Sequence, residues 1–138
     1  MQDRDTPHEI SISDETDVIV VRKIIRDAAV MLKFGLTDVT RIVTAASELG
    51  RNIFLYSGSG TVQWRVISAG SKIGMELVFN DSGPGIVDIH LAMEEGYSTS
   101  GGLGLGLPGS RRLMDEMQID SRPGAGTRIT VRKWQERY

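Results

Sequence analysis

Two apolar alternations joined by four turn-forming residues constrain this chain more than any other feature. Val62, Trp64 and Val66 recur at every second position, and Ile73, Met75, Leu77 and Phe79 do the same. Ala69-Gly70-Ser71-Lys72 lies between them. Period two gives a strand one apolar face, and so short a connection returns the chain antiparallel. A hairpin with one apolar face needs a layer to cover it, and the upstream sequence supplies one. Val18, Val21, Ile25, Ala28 and Leu32 recur at spacings of three and four, as do Val39, Ile42, Ala46, Leu49 and Ile53. Both sets predict amphipathic helices. Asp14 reads as the N-cap of the first and Gly35 as its stop, while Thr37 reads as the cap of the second. Gly58 and Gly60 end the second helix.

The rest of the chain follows the same rules. Residues 8–13 alternate and predict a first strand. A short helix is expected around Asp88–Glu94, and another after Pro108, carrying Leu113 and Met114. Gln118–Ser121 and Arg128–Trp134 read as two last strands about the turn Pro123-Gly124-Ala125-Gly126. Hairpin-linked strands with grouped helices indicate an α+β two-layer sandwich, a mixed, mostly antiparallel sheet with its helices on one face. At 138 residues, with no repeat and no linker-like stretch, the chain reads as one domain, 1–138.

Composition removes several function classes. Sixteen basic residues against eighteen acidic ones give a net charge of −2, which argues against a nucleic-acid module built on a basic face. There is no cysteine, so disulfides, thiolate metal sites and cysteine nucleophiles are excluded. Apolar runs such as Ala28–Leu32 fall far short of the roughly 20 residues that span a bilayer. The N-terminal MQDRDTPHE has no signal-like apolar stretch. A cytoplasmic protein without membrane or nucleic-acid partners is the expectation.

Glycine is the unusual count. Eight of the 16 glycines fall between positions 83 and 109. Leu103, Leu105 and Leu107 interleave them, unlike the Ser- and Lys-rich composition of a flexible linker. Such a cluster suits backbone that approaches a ligand closely. Gly104-Leu-Gly106-Leu-Pro-Gly109 spells the dinucleotide fingerprint, but no hydrophobic strand precedes it, and no P-loop lysine or kinase-type downstream motif is present.

Three constellations could carry chemistry, and each has a plainer reading. Glu48 and Asn52 are four apart on the second helix and flank its apolar stripe, so they share a side; they also read as a solvated polar pair. Asp81 ends an apolar strand before Ser-Gly-Pro-Gly. A carboxylate there can accept from an exocyclic amine, with Gly83 and Gly85 admitting a flat base; an Asp-x-Gly turn is the alternative. Gly101-Gly102-Leu103-Gly104-Leu105-Gly106 runs into a helix N-terminus, where unpaired N–H groups favour phosphate; a surface loop would look similar. Arg51, Arg111 and Arg112 read as surface charge, and His8 and His90 have no metal-ligand company. Trp64 and Trp134 read as packing, and Met31, Met75, Met93, Met114 and Met117 as core fillers.

Order and spacing make the set more specific than its parts. Glu48-Leu-Gly-Arg-Asn52, Asp81-Ser-Gly-Pro-Gly85, Gly102-Leu-Gly104-Leu-Gly106 and Gly126-Thr127 resemble the N, G1, G2 and final Gly-Thr boxes of the GHKL ATPase/kinase superfamily. The resemblance covers the whole chain and implies the Bergerat ATP-binding fold. Ser47–Tyr56, Gly96–Gly104 and Leu107–Glu116 further resemble the RsbT-type switch kinases of the bacterial stressosome.

The resemblance implies roles. Asp81 reads the adenine amine, with Thr127 nearby through water. Asn52 coordinates Mg²⁺, and Gly102, Gly104 and Gly106 wrap the β- and γ-phosphates. Tyr97–Ser100 belongs to the ATP lid, and Glu48 is the general base. The implied ATP-binding set is therefore Asn52, Asp81, Gly83, Gly85, Ser98, Thr99, Ser100, Gly101, Gly102, Leu103, Gly104, Leu105, Gly106 and Thr127. A bare ATP-binding domain, with neither a phospho-acceptor histidine helix pair nor a clamp-moving domain, is expected to take its acceptor from another protein. In RsbT-type kinases that acceptor is a Ser or Thr of a STAS-domain protein, and the released kinase activates a downstream phosphatase. Anti-sigma factors that sequester a sigma subunit share the boxes and the size, and composition does not separate the two.

Overall fold

A computed structural model describes residues 7–83 and 107–135. The expected helix at Asp88–Glu94, Gly85, His90, Met93 and the Tyr97–Gly106 segment lie outside the described residues. The elements are β1 (His8–Ile12), α1 (Glu15–Met31), α2 (Leu36–Ser57), β2 (Gly60–Ala69), β3 (Lys72–Asp81), α3 (Leu107–Leu113), β4 (Glu116–Arg122) and β5 (Gly126–Trp134). The strands form one sheet in the order β1-β2-β3-β5-β4. Every neighbouring pair is antiparallel. The sandwich is as expected, with the described sheet wholly antiparallel rather than mixed. No described helix is long and apolar enough to cross a membrane.

Local chemistry sets the helix limits. Asp14 caps α1 as expected: its carboxylate accepts from the Thr16 and Asp17 N–H groups, and Asp17 reaches back to the Asp14 N–H. That capping box satisfies backbone donors the helix itself cannot. The end of α1 differs from expectation. The stop is Lys33, at φ 66°, not Gly35. The Phe34 N–H donates to the Ala29 carbonyl at 3.1 Å and the Lys33 N–H to the Val30 carbonyl at 2.9 Å. Those are the two bonds of a Schellman motif, and buried Phe34 supplies its apolar contact. A non-glycine residue holds the left-handed position because Phe34 must turn into the core. Gly35 is instead the N-cap of α2, with no side-chain cap bond, and Thr37 lies inside the helix. Gly58 ends α2 at φ 82°.

The hairpin turns on Gly70-Ser71, with Lys72 already paired to Ala69. Gly70, at φ 61°, takes the positive φ that a two-residue hairpin loop demands at its first position. Strand β3 is central and buried on both faces from Gly74 to Phe79. Its Met75, Leu77 and Phe79 join Val62, Ile129 and Val131 under the helices. Val21, Ile25, Ile42, Leu49 and Ile53 cover them from α1 and α2. Burying each such side chain is worth about 1.5–3 kcal/mol, which makes this layer contact the main favourable term. Met75 and Met114 are core residues as expected, and Met117 packs against the core. Met31 is not, being 81% exposed, because it sits on the last turn of α1 facing away from the sheet. Trp64 packs against the core and stacks on His8 with ring centroids 4.3 Å apart.

The other sheet face is polar. Arg65, Glu76, Arg132 and Glu116 stand in one row across four strands. Glu76, 5% exposed, accepts from Arg65 Nε and Arg132 Nε, each at 2.8 Å. Burial opposes its ionisation, but the bonds and charges of the two arginines outweigh that and hold its carboxyl below the usual range. At one end of the sandwich Lys133 Nζ donates to the Leu113 carbonyl and lies 3.3 Å from Asp115 and 3.6 Å from Asp38. It ties the start of α2 and the end of α3 to β5.

Candidate functional site

The helix face of the sheet changes from apolar to polar at one end. Along β3 the alternation Met75, Leu77, Phe79 continues to Asp81. Along β5 the sequence Val131, Ile129 continues to Thr127, and along β4 Ile119 continues to Ser121. Register places Asp81 opposite Thr127 and Thr127 opposite Ser121. Three oxygen-bearing side chains thus stand in one row where the core ends.

Glycines bring the backbone together around that row. A Cβ on Gly126, at φ 92°, would lie 2.1 Å from the Asp81 carbonyl oxygen. One on Gly60 would lie 2.2 Å from the Asn80 carbonyl oxygen and 2.7 Å from Ile53 Cγ2. One on Gly83 would lie 2.2 Å from Ser57 Oγ. The end of β3 is therefore held between β5, the start of β2 and the last turns of α2. The Gly83 N–H donates to Asp81 Oδ1 at 2.9 Å. Ser121 Oγ donates to the Gly126 carbonyl at 3.1 Å and stands 2.9 Å from Thr127 Oγ1. An open cleft of about 420 Å³ at this end of the sheet is lined by Asp81, Ser121, Gly126 and Thr127 together with Asn80, Asp120 and Arg128 of the row on the opposite face and Arg122 and Ala125 of the turn. That size suits a small-molecule group such as a nucleobase.

Helix α2 carries the other expected residues. Glu48 is exposed and Asn52 half-buried, one turn apart on its flank. Asn52 immediately precedes Ile53, whose methyl reaches the Gly60–Asp81 junction. The structure therefore brings Asp81, Gly83 and Thr127 together, while Glu48 and Asn52 lie on the flank of α2, whose Ile53 and Ser57 pack against the end of β3. Gly85, Ser98, Thr99, Ser100, Gly101, Gly102, Leu103, Gly104, Leu105 and Gly106 lie outside the described residues. Arg51 and Arg111 are exposed, as surface charges should be. Among the described residues no three His, Asp or Glu side chains group as a metal cage. Asn52 offers a single amide oxygen, so a Mg²⁺ held there would draw its other ligands from water and substrate phosphates.

Sequence reasoning missed Ser121, Gly60 and Ser57. Only pairing reveals them, although the Pro123–Gly126 turn, read as a hairpin, points from Thr127 to Ser121.

Comparison with known proteins joins this geometry to a family. The profile described as histidine kinase-, DNA gyrase B-, and HSP90-like ATPase matches residues 37–137. The chain belongs to this ATPase family. The match spans α2 to β5, which includes every described residue of the site. Across nearly its full length this ATPase-family domain is similar to the serine/threonine-protein kinase RsbT of Bacillus subtilis, 47% identical over 125 residues, covering 91% of this chain and 94% of the relative. It is 29% identical over 119 residues to an anti-sigma F factor of Thermoanaerobacter sp., covering 82% of each. Among solved structures, the RsbU and RsbW domains of Rv1364c from Mycobacterium tuberculosis align at TM-score 0.61 and 18% identity, over 96% of this chain. This chain spans about a third of that one, 33%. The catalytic domain of histidine kinase ThkA aligns at TM-score 0.51 and 14% identity, covering 93% and 96% of the two chains. Both likenesses bear on the fold alone.

Proposed function

We propose that this protein is a cytoplasmic Mg·ATP-dependent protein serine/threonine kinase of the partner-switching kind. Its substrates are STAS-domain proteins of a stressosome, and once released from them it binds and activates a downstream phosphatase. One observation carries the reading: Asp81 and Thr127 share a row at the end of the sheet, where Ile53 and Ser57 of the helix that bears Glu48 and Asn52 pack against Gly60 and Gly83. The similarity to a serine/threonine-protein kinase over 91% of this chain and 94% of that relative supports the choice of acceptor.

The chemistry divides among these residues. Asp81 accepts from the adenine amine, with one carboxylate oxygen already oriented by Gly83. Asn52 would hold Mg²⁺, which when bound neutralises charge on the phosphates. By the motif resemblance, Gly102, Gly104 and Gly106 would supply N–H donors to those phosphates. Glu48 takes the proton of the acceptor hydroxyl as its oxygen bonds the γ-phosphorus. The bond from that phosphorus to the β–γ bridging oxygen breaks, and ADP leaves. Positioning and charge neutralisation dominate phosphoryl transfer, so few groups suffice.

Phosphotransfer from labelled ATP to STAS-domain proteins tests this. Glu48→Ala should lower the rate by about 10²-fold or more while ATP still binds. Asp81→Asn should weaken ATP binding itself. Full transfer by Glu48→Ala would remove Glu48 as the base. A second reading, an anti-sigma factor with kinase activity, is favoured by the anti-sigma F relatives. Capture of a sigma subunit rather than a STAS protein from the same organism would select it.

A further inference from the structure

Helix α2 turns one side to the core and the other to solvent. Ile42, Ala46, Leu49 and Ile53 mark its buried side. At about 100° per residue, Thr44, Glu48, Arg51 and Leu55 fall within roughly 60° of one another on the opposite side. All four are exposed, and Leu55 keeps 56% of its surface. Arg51 has no ion-pair or hydrogen-bond partner among the described residues. A lone exposed leucine needs no explanation. This one shares its side of the helix with an unpaired arginine and with Glu48.

An acceptor hydroxyl must come within hydrogen-bond reach of Glu48 to lose its proton there. Arg51 lies about 4–5 Å further along the helix axis and Leu55 about 10 Å. Even a small transient interface covers about 500 Å² on each partner, a patch roughly 13 Å in radius. Centred on Glu48, such a patch reaches both residues. We propose that Arg51 and Leu55 are the specificity-determining contacts for the acceptor protein: Leu55 takes an apolar side chain of that protein, and Arg51 a carboxylate lying between that side chain and the acceptor hydroxyl. The inference rests on the reading of Glu48 as the base. It goes beyond that reading by naming the surface that selects the acceptor and the chemistry the acceptor must bring to it.

The test follows phosphotransfer from labelled ATP, by the full chain, to whichever STAS-domain protein of the same organism the wild type labels fastest. KM for the acceptor, kcat and ATP affinity are measured separately. Leu55→Ala should raise the acceptor KM by about tenfold, the scale of burying a leucine side chain, with kcat and ATP affinity unchanged. Arg51→Gln should raise it by about 3–10-fold and flatten its rise with salt, since the screened charge is gone. Met31→Ala removes another apolar side chain, 81% exposed on the last turn of α1, and should change none of the three quantities. A structural role for Leu55 would move ATP affinity or kcat together with KM, and that result overturns the inference. So does an unchanged acceptor KM in Leu55→Ala while Glu48→Ala abolishes transfer. If Leu55→Ala does not fold, an unchanged KM in Arg51→Gln decides against it in the same way. Transfer that survives Glu48→Ala, or a wild type that labels no STAS-domain protein, overturns the functional reading and this inference with it.

Discussion

Replacing Gly126 by alanine isolates the packing that builds the site. Two costs arise at once. Gly126 holds φ 92°, where a Cβ strains the backbone by about 1–2 kcal/mol. The new methyl would also lie 2.1 Å from the Asp81 carbonyl oxygen, 2.9 Å from Ser82 Cα and 3.0 Å from the Asp81 carbonyl carbon. All three are backbone atoms, so relief requires β3 and β5 to part by roughly 1 Å, an overpacking cost of about 1–3 kcal/mol. Together the expected loss is about 2–5 kcal/mol. At roughly 4 °C per kcal/mol for a domain of this size, Tm falls by roughly 8–20 °C. Most of the protein still folds, given typical stabilities of about 5–15 kcal/mol. The same shift separates Asp81 from Thr127, so ATP affinity falls more than tenfold by the proximity argument. Urea unfolding and nucleotide titration measure the two effects. Gly109→Ala serves as the control, because a Cβ at Gly109 meets nothing within 4 Å and its φ is not positive. It should be neutral or stabilising by up to about 1 kcal/mol. A Gly126→Ala protein that unfolds at the wild-type urea concentration would refute the reasoning.

Two further predictions concern stability. Lys33→Gly should raise stability by about 0.5–1 kcal/mol, since glycine takes the left-handed C′ position without a Cβ penalty; a lower urea midpoint would deny that Lys33 is strained there. Glu76 has a depressed native pKa, so its stabilisation is complete above the unfolded carboxylate value and is lost as pH falls through the lower native one. Tm of Glu76→Gln should therefore decline less between pH 7 and pH 3 than Tm of wild type, and parallel declines would contradict the role assigned to the Arg65–Glu76–Arg132 row.

Much of this protein was legible without coordinates. The stripe of α2, the hairpin, the Asp14 cap and the order of Glu48, Asn52, Asp81 and Thr127 are all local in sequence. Periodicity and turn chemistry act over a few residues, so neighbours along the chain report them. The end of α1 was misread for a related reason. Glycine is the local signal for a left-handed stop, but the core's demand for Phe34 placed that conformation on Lys33 and left Gly35 to begin α2. Met31 continued an apolar reading locally, yet the helix turned it outward.

What the tertiary structure alone decided is which distant residues meet. Apolar alternation makes β2, β3, β4 and β5 equally fit to pair, and nothing local states that β5 enters between β3 and β4. That insertion sets Thr127 opposite Asp81 and puts Ser121 behind Thr127. Sequence determined the kinds of side chain available and the elements that carry them. Strand pairing, a contest among non-local partners settled by packing of the whole core, determined that Asp81, Thr127 and Ser121 share one row.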